Sequence, residues 1–144
     1  MINKEDADEK VEQGWLRTSL MFEVLAIKEE VTEKALGELI GKLDKDGRVK
    51  IYKKELLNIV ETKNPFKDVE KAYSQACEIE LIAKNFEHLV EIVTEYGPSS
   101  IEILEPNSLS IGMREAQSVL NRISSIMHQF AKAGVGGLVF IRKE

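Results

Sequence analysis

Cysteine is all but missing from this 144-residue chain: Cys77 stands alone, so no intrachain disulfide framework and no CxxC site can form. Histidine is nearly as scarce. His88 and His128 are the only two, too few for a histidine-rich metal centre unless carboxylates complete it. Excess positive charge is absent as well. The net charge of −5 divides into 11 basic against 14 acidic side chains over residues 1–62, and 9 against 11 over residues 63–144. Neither half has the basic field of a protein that holds phosphate backbones by charge, which argues against a dedicated nucleic-acid binder. No apolar run approaches the roughly 18 to 20 residues of a membrane span, and the acidic stretch Met1 to Glu9 lacks the apolar core of a signal peptide. A cytoplasmic protein without membrane contact is expected.

What is present suffices for a core. With 43% hydrophobic and 31% charged residues, the chain fits one domain, or a small domain with an N-terminal helical extension. Val11, Trp15, Thr18, Phe22 and Leu25 recur at three- and four-residue spacing, with Leu16, Leu20, Val24 and Ile27 widening the stripe. This spacing predicts a helix from about Asp8 to Glu30. Trp15, the only tryptophan, reads as a core or interface anchor. A second helix is expected over residues 31–43. Gly37 and Gly41 lie one turn apart in it, either opening a close approach for another helix or merely weakening it. Leu56, Leu57, Ile59 and Val60 close a third short helix, stopped by Asn64-Pro65. Residues 62–67 are then a boundary between a helical region, 1–66, and a second domain, 70–144, with residues 68–72 as a lead-in of about one helical turn.

The stretch from Asp44 to Glu55 resembles the twelve-residue loop of an EF-hand. Carboxylates fall at loop positions one, three and twelve (Asp44, Asp46, Glu55), with Ile51 at position eight. Arg48 replaces a ligand oxygen at position five, and Val49 replaces the turn glycine at position six, so calcium binding is disfavoured. Asp46-Gly47 is also a turn signal, after which Arg48 to Tyr52 reads as a short strand or wing. Residues 42–54 carry six basic against two acidic side chains. Lys45, Arg48, Lys50, Lys53 and Lys54 are therefore the candidate nucleic-acid contacts, in a layout where helix 31–43 precedes a basic wing. That helix lacks the arginine, asparagine and glutamine array that reads base edges. A solvated charged turn is the simplest reading.

From Tyr73 the period changes. Gln75, Cys77, Ile79, Leu81 and Ala83 alternate as one face of a strand, with Glu78 and Glu80 on the other. Asn85 N-caps a helix carrying Phe86, Leu89, Val90, Val93 and Tyr96, and Gly97-Pro98 ends it. Ser100 to Leu104 is a strand between Pro98 and Pro106. Glu102 and Glu105 on this strand could be a carboxylate pair, but simple alternation places them on opposite faces. Leu109 and Ile111 suggest a short strand, residues 112–133 a long amphipathic helix, and Leu138 to Arg142 a final strand after Gly134-Val135-Gly136-Gly137. The fold class is thus α+β: an N-terminal helical segment followed by a ferredoxin-like βαββαβ domain, an antiparallel sheet with two helices on one face.

Cys77-Glu78-Ile79-Glu80-Leu81, Phe86-Glu87-His88-Leu89-Val90-Glu91-Ile92-Val93, Tyr96-Gly97-Pro98 and Ile101-Glu102-Ile103-Leu104-Glu105-Pro106 occur in that order, with Arg114-Glu115 opening the next helix. This combination resembles the C-terminal module of WYL-domain transcription regulators, over residues 75–131. The Ile- and Glu-rich character also looks like archaeal proteins that carry such a module alone. The resemblance implies a ferredoxin-like accessory module used for oligomer contacts and ligand sensing. It departs from those regulators in having no upstream WYL domain and no helix-turn-helix signature.

Chemistry-bearing residues are few. His88 and His128 read as structural, and Cys77 as a buried thiol on the inward strand face. The glycine run at 134–137 follows a helix rather than a strand, which is the wrong context for phosphate. No catalytic residue, cofactor or metal is expected. The expected function is a non-enzymatic oligomerisation or ligand-sensing protein acting as a dimer, with a small-molecule effector implied. The alternative is a DNA-associated regulator using helix 31–43 and the basic stretch 42–54.

Overall fold

In a computed structural model that describes residues 1–134, nine elements follow one another. They are α1 (Lys4–Glu12), β1 (Leu16–Ala26), α2 (Glu29–Asp44), β2 (Val49–Leu56), β3 (Val60–Phe66), β4 (Val69–Ala83), α3 (Phe86–Tyr96), β5 (Ser100–Glu105) and α4 (Met113–Ala133). The class is α+β. The strands form one open, fully antiparallel sheet in the order β2-β4-β1-β5, with β3 pairing β4 further along the β2 edge. Residues 1–109 make one compact unit, and the described residues from 110 onward fall in a second.

β4 is the spine of the sheet. Its fifteen residues pair with β1 on one side from Tyr73 to Ala83, and with β2 and then β3 on the other. Gln75, Cys77, Ile79, Leu81 and Ala83 are buried on one face, as their alternation requires. Leu16, Leu20 and Phe22 of β1 join Val49 and Ile51 of β2 on that same face. Leu36, Ile40 and Leu43 of α2 and Leu89 and Ile92 of α3 cover it. Replacing fully buried Phe22 by alanine removes a large payload from this core, about 3 to 5 kcal/mol.

The expected helix over residues 8–30 is not formed. α1 ends at Glu12, Gly14 turns the chain with φ +103°, and Leu16–Ala26 is a strand. With apolar residues at both parities, the stretch satisfied a helical and an extended pattern together. The register against β4 selects the extended one, burying Leu16, Thr18, Leu20 and Phe22 and leaving Arg17, Ser19, Met21 and Glu23 on the opposite face. Trp15 is half-buried at the start of this strand, under the Lys10 ammonium at 5.4 Å from its ring centre.

α2 follows its expectation closely. A Cβ added at Gly37 or Gly41 would meet nothing within 4 Å, so the glycine pair faces open space rather than a neighbouring helix. The third short helix is absent: Leu56 ends β2 and Val60 begins β3. Between them the Leu57 N–H donates to the Ala76 carbonyl (2.9 Å), and Gln75 Nε2 donates to the Leu57 carbonyl (3.0 Å). The backbone is therefore satisfied by β4 instead of by a helix. The expected boundary at 62–67 is the end of a β-hairpin, turned through Asn64 (φ 52°) and Asp68 (φ 69°), and residue 69 already belongs to β4. The ferredoxin-like unit expected over residues 73–142 is not laid out there. β1 and β2 supply two of the sheet's strands from the N-terminal half, Leu109 and Ile111 lie in no strand, and the expected strand at 138–142 falls outside the described residues.

α3 and its neighbours match the sequence reading. The Asn85 side chain accepts from the His88 N–H, and Gly97 (φ 60°) forms a left-handed C-cap. Among the described residues no helix is long and apolar enough to cross a membrane.

Candidate functional site

The EF-hand-like stretch does not gather its carboxylates. Asp44 ends α2 and lies 3.1 Å from the Met1 amino group. Glu55 stands on β2 opposite Glu78. Asp46, in the α2–β2 turn, accepts from both the side chain and the backbone N–H of Arg48. No group of three or more metal-ligating side chains occurs among the described residues.

Arg48 forms a clasp. Its guanidinium donates to Asp46 (2.7 Å), Glu91 (2.9 Å) and Glu95 (2.6 Å), while the Tyr96 hydroxyl donates to Asp46 (2.9 Å). These contacts tie the turn before β2 to α3 with a largely covered, forked cation. Hydrogen bonding from Arg48 holds the Asp46 carboxyl well below the usual carboxylate range, and Asp46 in turn raises Arg48. Burial, followed by the bond to Asp46, pushes the Tyr96 phenol up.

The five candidate nucleic-acid contacts are dispersed. Lys45 caps α2, and Arg48 is committed to the clasp. Lys50 and Lys53 lie on the sheet face opposite the core, Lys53 paired with Glu80 at 3.2 Å. Lys54 lies opposite Ile79, on the other face. Adjacent lysines part by alternation alone, and the register slip between Ile51 and Lys53 decides which goes where: the bulge at Tyr52 puts Lys53, rather than Lys54, on the face of Lys50.

A charged cleft of about 650 Å³ opens on the sheet face opposite the core, lined by Lys4, Asp8, Arg17, Tyr52, Lys53, Glu80 and Glu105. Arg17 is its centre. Its Nε donates to Glu105 (2.9 Å), its other end pairs with Asp8 of α1, and its guanidinium lies 5.1 Å from the Tyr52 ring centre. The Tyr52 hydroxyl donates to Glu80 (3.1 Å). Burial opposes the charge on Arg17, but its contacts with Tyr52, Glu105 and Asp8 outweigh it and raise the guanidinium above its ordinary value. Burial raises Tyr52, and Glu80 raises Lys53.

Simple alternation misplaced Glu105. The register shifts between Arg17 and Thr18, so Glu105 pairs with Arg17 and Glu102 with Ser19. Arg17 and Ser19 share a face, and the two glutamates therefore share it too. A bulge leaves no signal in an alternating sequence, so this side of the cleft was invisible before the register was known. Cys77 is buried, and burial raises its thiol. His88 is half-buried, with an Nδ1 atom that has no hydrogen-bond partner among the described residues.

The second unit presents a different surface. α4 runs for 21 residues, and not one of them is buried. Met113, Leu120, Ile123 and Phe130 are 84%, 62%, 46% and 46% exposed. Ala116, Val119 and Ile126 along the same helix are half-buried. Asn121, Ser124, Ser125 and His128 supply much of the polar side. A helix in water rarely leaves so continuous an apolar stripe exposed unless the stripe meets something.

Comparison with protein families matches residues 17–140 to the MJ0538 family, so the chain belongs to that family. No curated protein and no solved structure matches it.

Proposed function

We propose that this member of the MJ0538 family is a non-enzymatic interaction protein that self-associates. The observation that carries this reading is α4, a 21-residue amphipathic helix with no buried residue and an exposed apolar stripe. At about 25 cal/mol per Å² of apolar surface, covering such a stripe is a substantial driving force, and a second copy is always available to cover it.

The resemblance of residues 75–131 to the C-terminal module of WYL-domain regulators, which implies oligomer contacts, supports the same reading. This proposal also takes β1, α2, β2, β4, α3 and β5 as a ferredoxin-like frame. The order β2-β4-β1-β5 supports that assignment, with β3 prolonging the β2 edge. For a small-molecule effector, the charged cleft around Arg17 is the receptacle this reading names.

Light scattering on the whole chain tests the proposal. A mass of twice the 16.3 kDa chain at tens of micromolar is expected. A strict monomer over that range would contradict it.

A further inference from the structure

The spacing along α4 identifies the partner more closely, on the premise that the chain self-associates as proposed above. Ala116, Val119, Ile123, Ile126 and Phe130 follow one another at intervals of three, four, three and four residues. That is the a/d pattern by which one helix packs knobs into the holes of another. Leu120 and Met127 widen the stripe on one flank, one residue beyond Val119 and Ile126. Over 21 residues the helix is about 31 Å long, enough for several packed layers.

The direction of the pairing follows from size. Along the seam the side chains grow steadily, from Ala116 through Val119 and the two isoleucines to Phe130. A parallel pair would set alanine against alanine at one end and phenylalanine against phenylalanine at the other, leaving a void and a crowded layer. Packed interiors tolerate neither well. An antiparallel pair evens the layers: Ala116 of one copy meets Ile126 of the second, and Val119 meets Ile123. It also sets the helix dipoles in opposition, the favourable sense. A membrane surface is the weaker match. The polar side is mostly neutral, with Arg114, Arg122 and Lys132 as its basic residues and Glu115 against them, whereas surface-binding helices are rich in lysine and arginine there.

We propose that two copies of this chain pair through α4 as an antiparallel two-helix seam, with the two-fold axis passing near residue 121. Cysteine cross-linking tests it, because the native Cys77 is buried and supplies no competing surface thiol. Ala116→Cys and Ile126→Cys chains are prepared separately, checked for native mass, mixed to exchange subunits and oxidised with copper–phenanthroline. The expected result is an inter-chain disulfide in the mixture, at least tenfold above that in Ala116→Cys alone and in Asn121→Cys, whose side chain faces away from the seam.

If Ile126→Cys fails to associate, the Val119→Cys and Ile123→Cys pair in the neighbouring layer carries the same expectation. Efficient self-cross-linking of Ala116→Cys would mean a parallel pair and overturn the inference. A wild-type dimer whose seam cysteines never cross-link would place the contact elsewhere, overturning the inference but not self-association. A monomeric wild-type chain that binds anionic phosphatidylglycerol vesicles, or one that binds nothing, would overturn both.

Discussion

At the residue scale, the Arg48 clasp and the Thr32–Gln75 contact mark where single side chains decide stability. The Asp46 carboxyl is held below its ordinary range by Arg48, so its folded state binds a proton less readily than the unfolded chain. The stability it contributes is present above about pH 4, the ordinary carboxylate value, and is lost as pH falls below that. Urea midpoints between pH 2.5 and 7 should therefore drop more steeply on the acid side in the wild type than in Asp46→Asn. Equal slopes would remove the clasp from the account.

The second case is a buried polar bridge. The Thr32 hydroxyl lies 2.8 Å from the Glu29 carbonyl and 2.9 Å from Gln75 Oε1, and Gln75 passes the contact on to Leu57. Gln75→Leu orphans the Leu57 carbonyl at the break between β2 and β3, and should cost about 1 to 3 kcal/mol in chemical denaturation. Little of this was legible beforehand. Arg48 was visible as a misfit in a calcium-like loop, but its partners Glu91 and Glu95 come from a helix more than 40 residues away.

At the element scale, the sequence was readable wherever a cap or a single-parity pattern fixed the choice. Asn85 and Gly97 bracket α3 as their chemistry requires, and β4 alternates because one of its faces is wholly covered. Gly97→Ala places a side chain at φ 60° and should destabilise the chain by about 1 kcal/mol; Asn85→Ala should cost a similar amount through the lost cap bond. Thermal melts of the two variants check both. β1 was misread because its apolar residues occupy both parities, and only pairing with β4 on one side and β5 on the other distinguishes strand from helix there. The bulges at Tyr52 and before Thr18 were not readable at all, since a register slip depends on the partner strand. They set the cleft, moving Glu105 to Arg17 and Lys53 to Glu80.

At the scale of the whole molecule, the chain consists of a compact sheet-and-helix unit over residues 1–109 and a second unit containing α4. The first unit has its own continuous core of α2, α3, β1, β2 and β4 side chains. A chain ending after Leu109 should therefore keep a cooperative unfolding transition and lose self-association, read by circular dichroism and native mass together. On the proposed reading, function is carried by a surface rather than by a reactive group. That is why the sequence exposed the long amphipathic helix at 112–133 plainly and revealed so little about what the protein meets.

The most direct measurement is the native mass of Ile123→Asp beside wild type and an Asn121→Asp control, by light scattering from one to one hundred micromolar. A charge at Ile123 sits in the apolar stripe of a helix that has no buried residue, so the fold should survive, as circular dichroism will show. Self-association through α4 predicts a dimer for wild type and Asn121→Asp, and a monomer for Ile123→Asp. A folded Ile123→Asp chain that still elutes with the mass of wild type would contradict it.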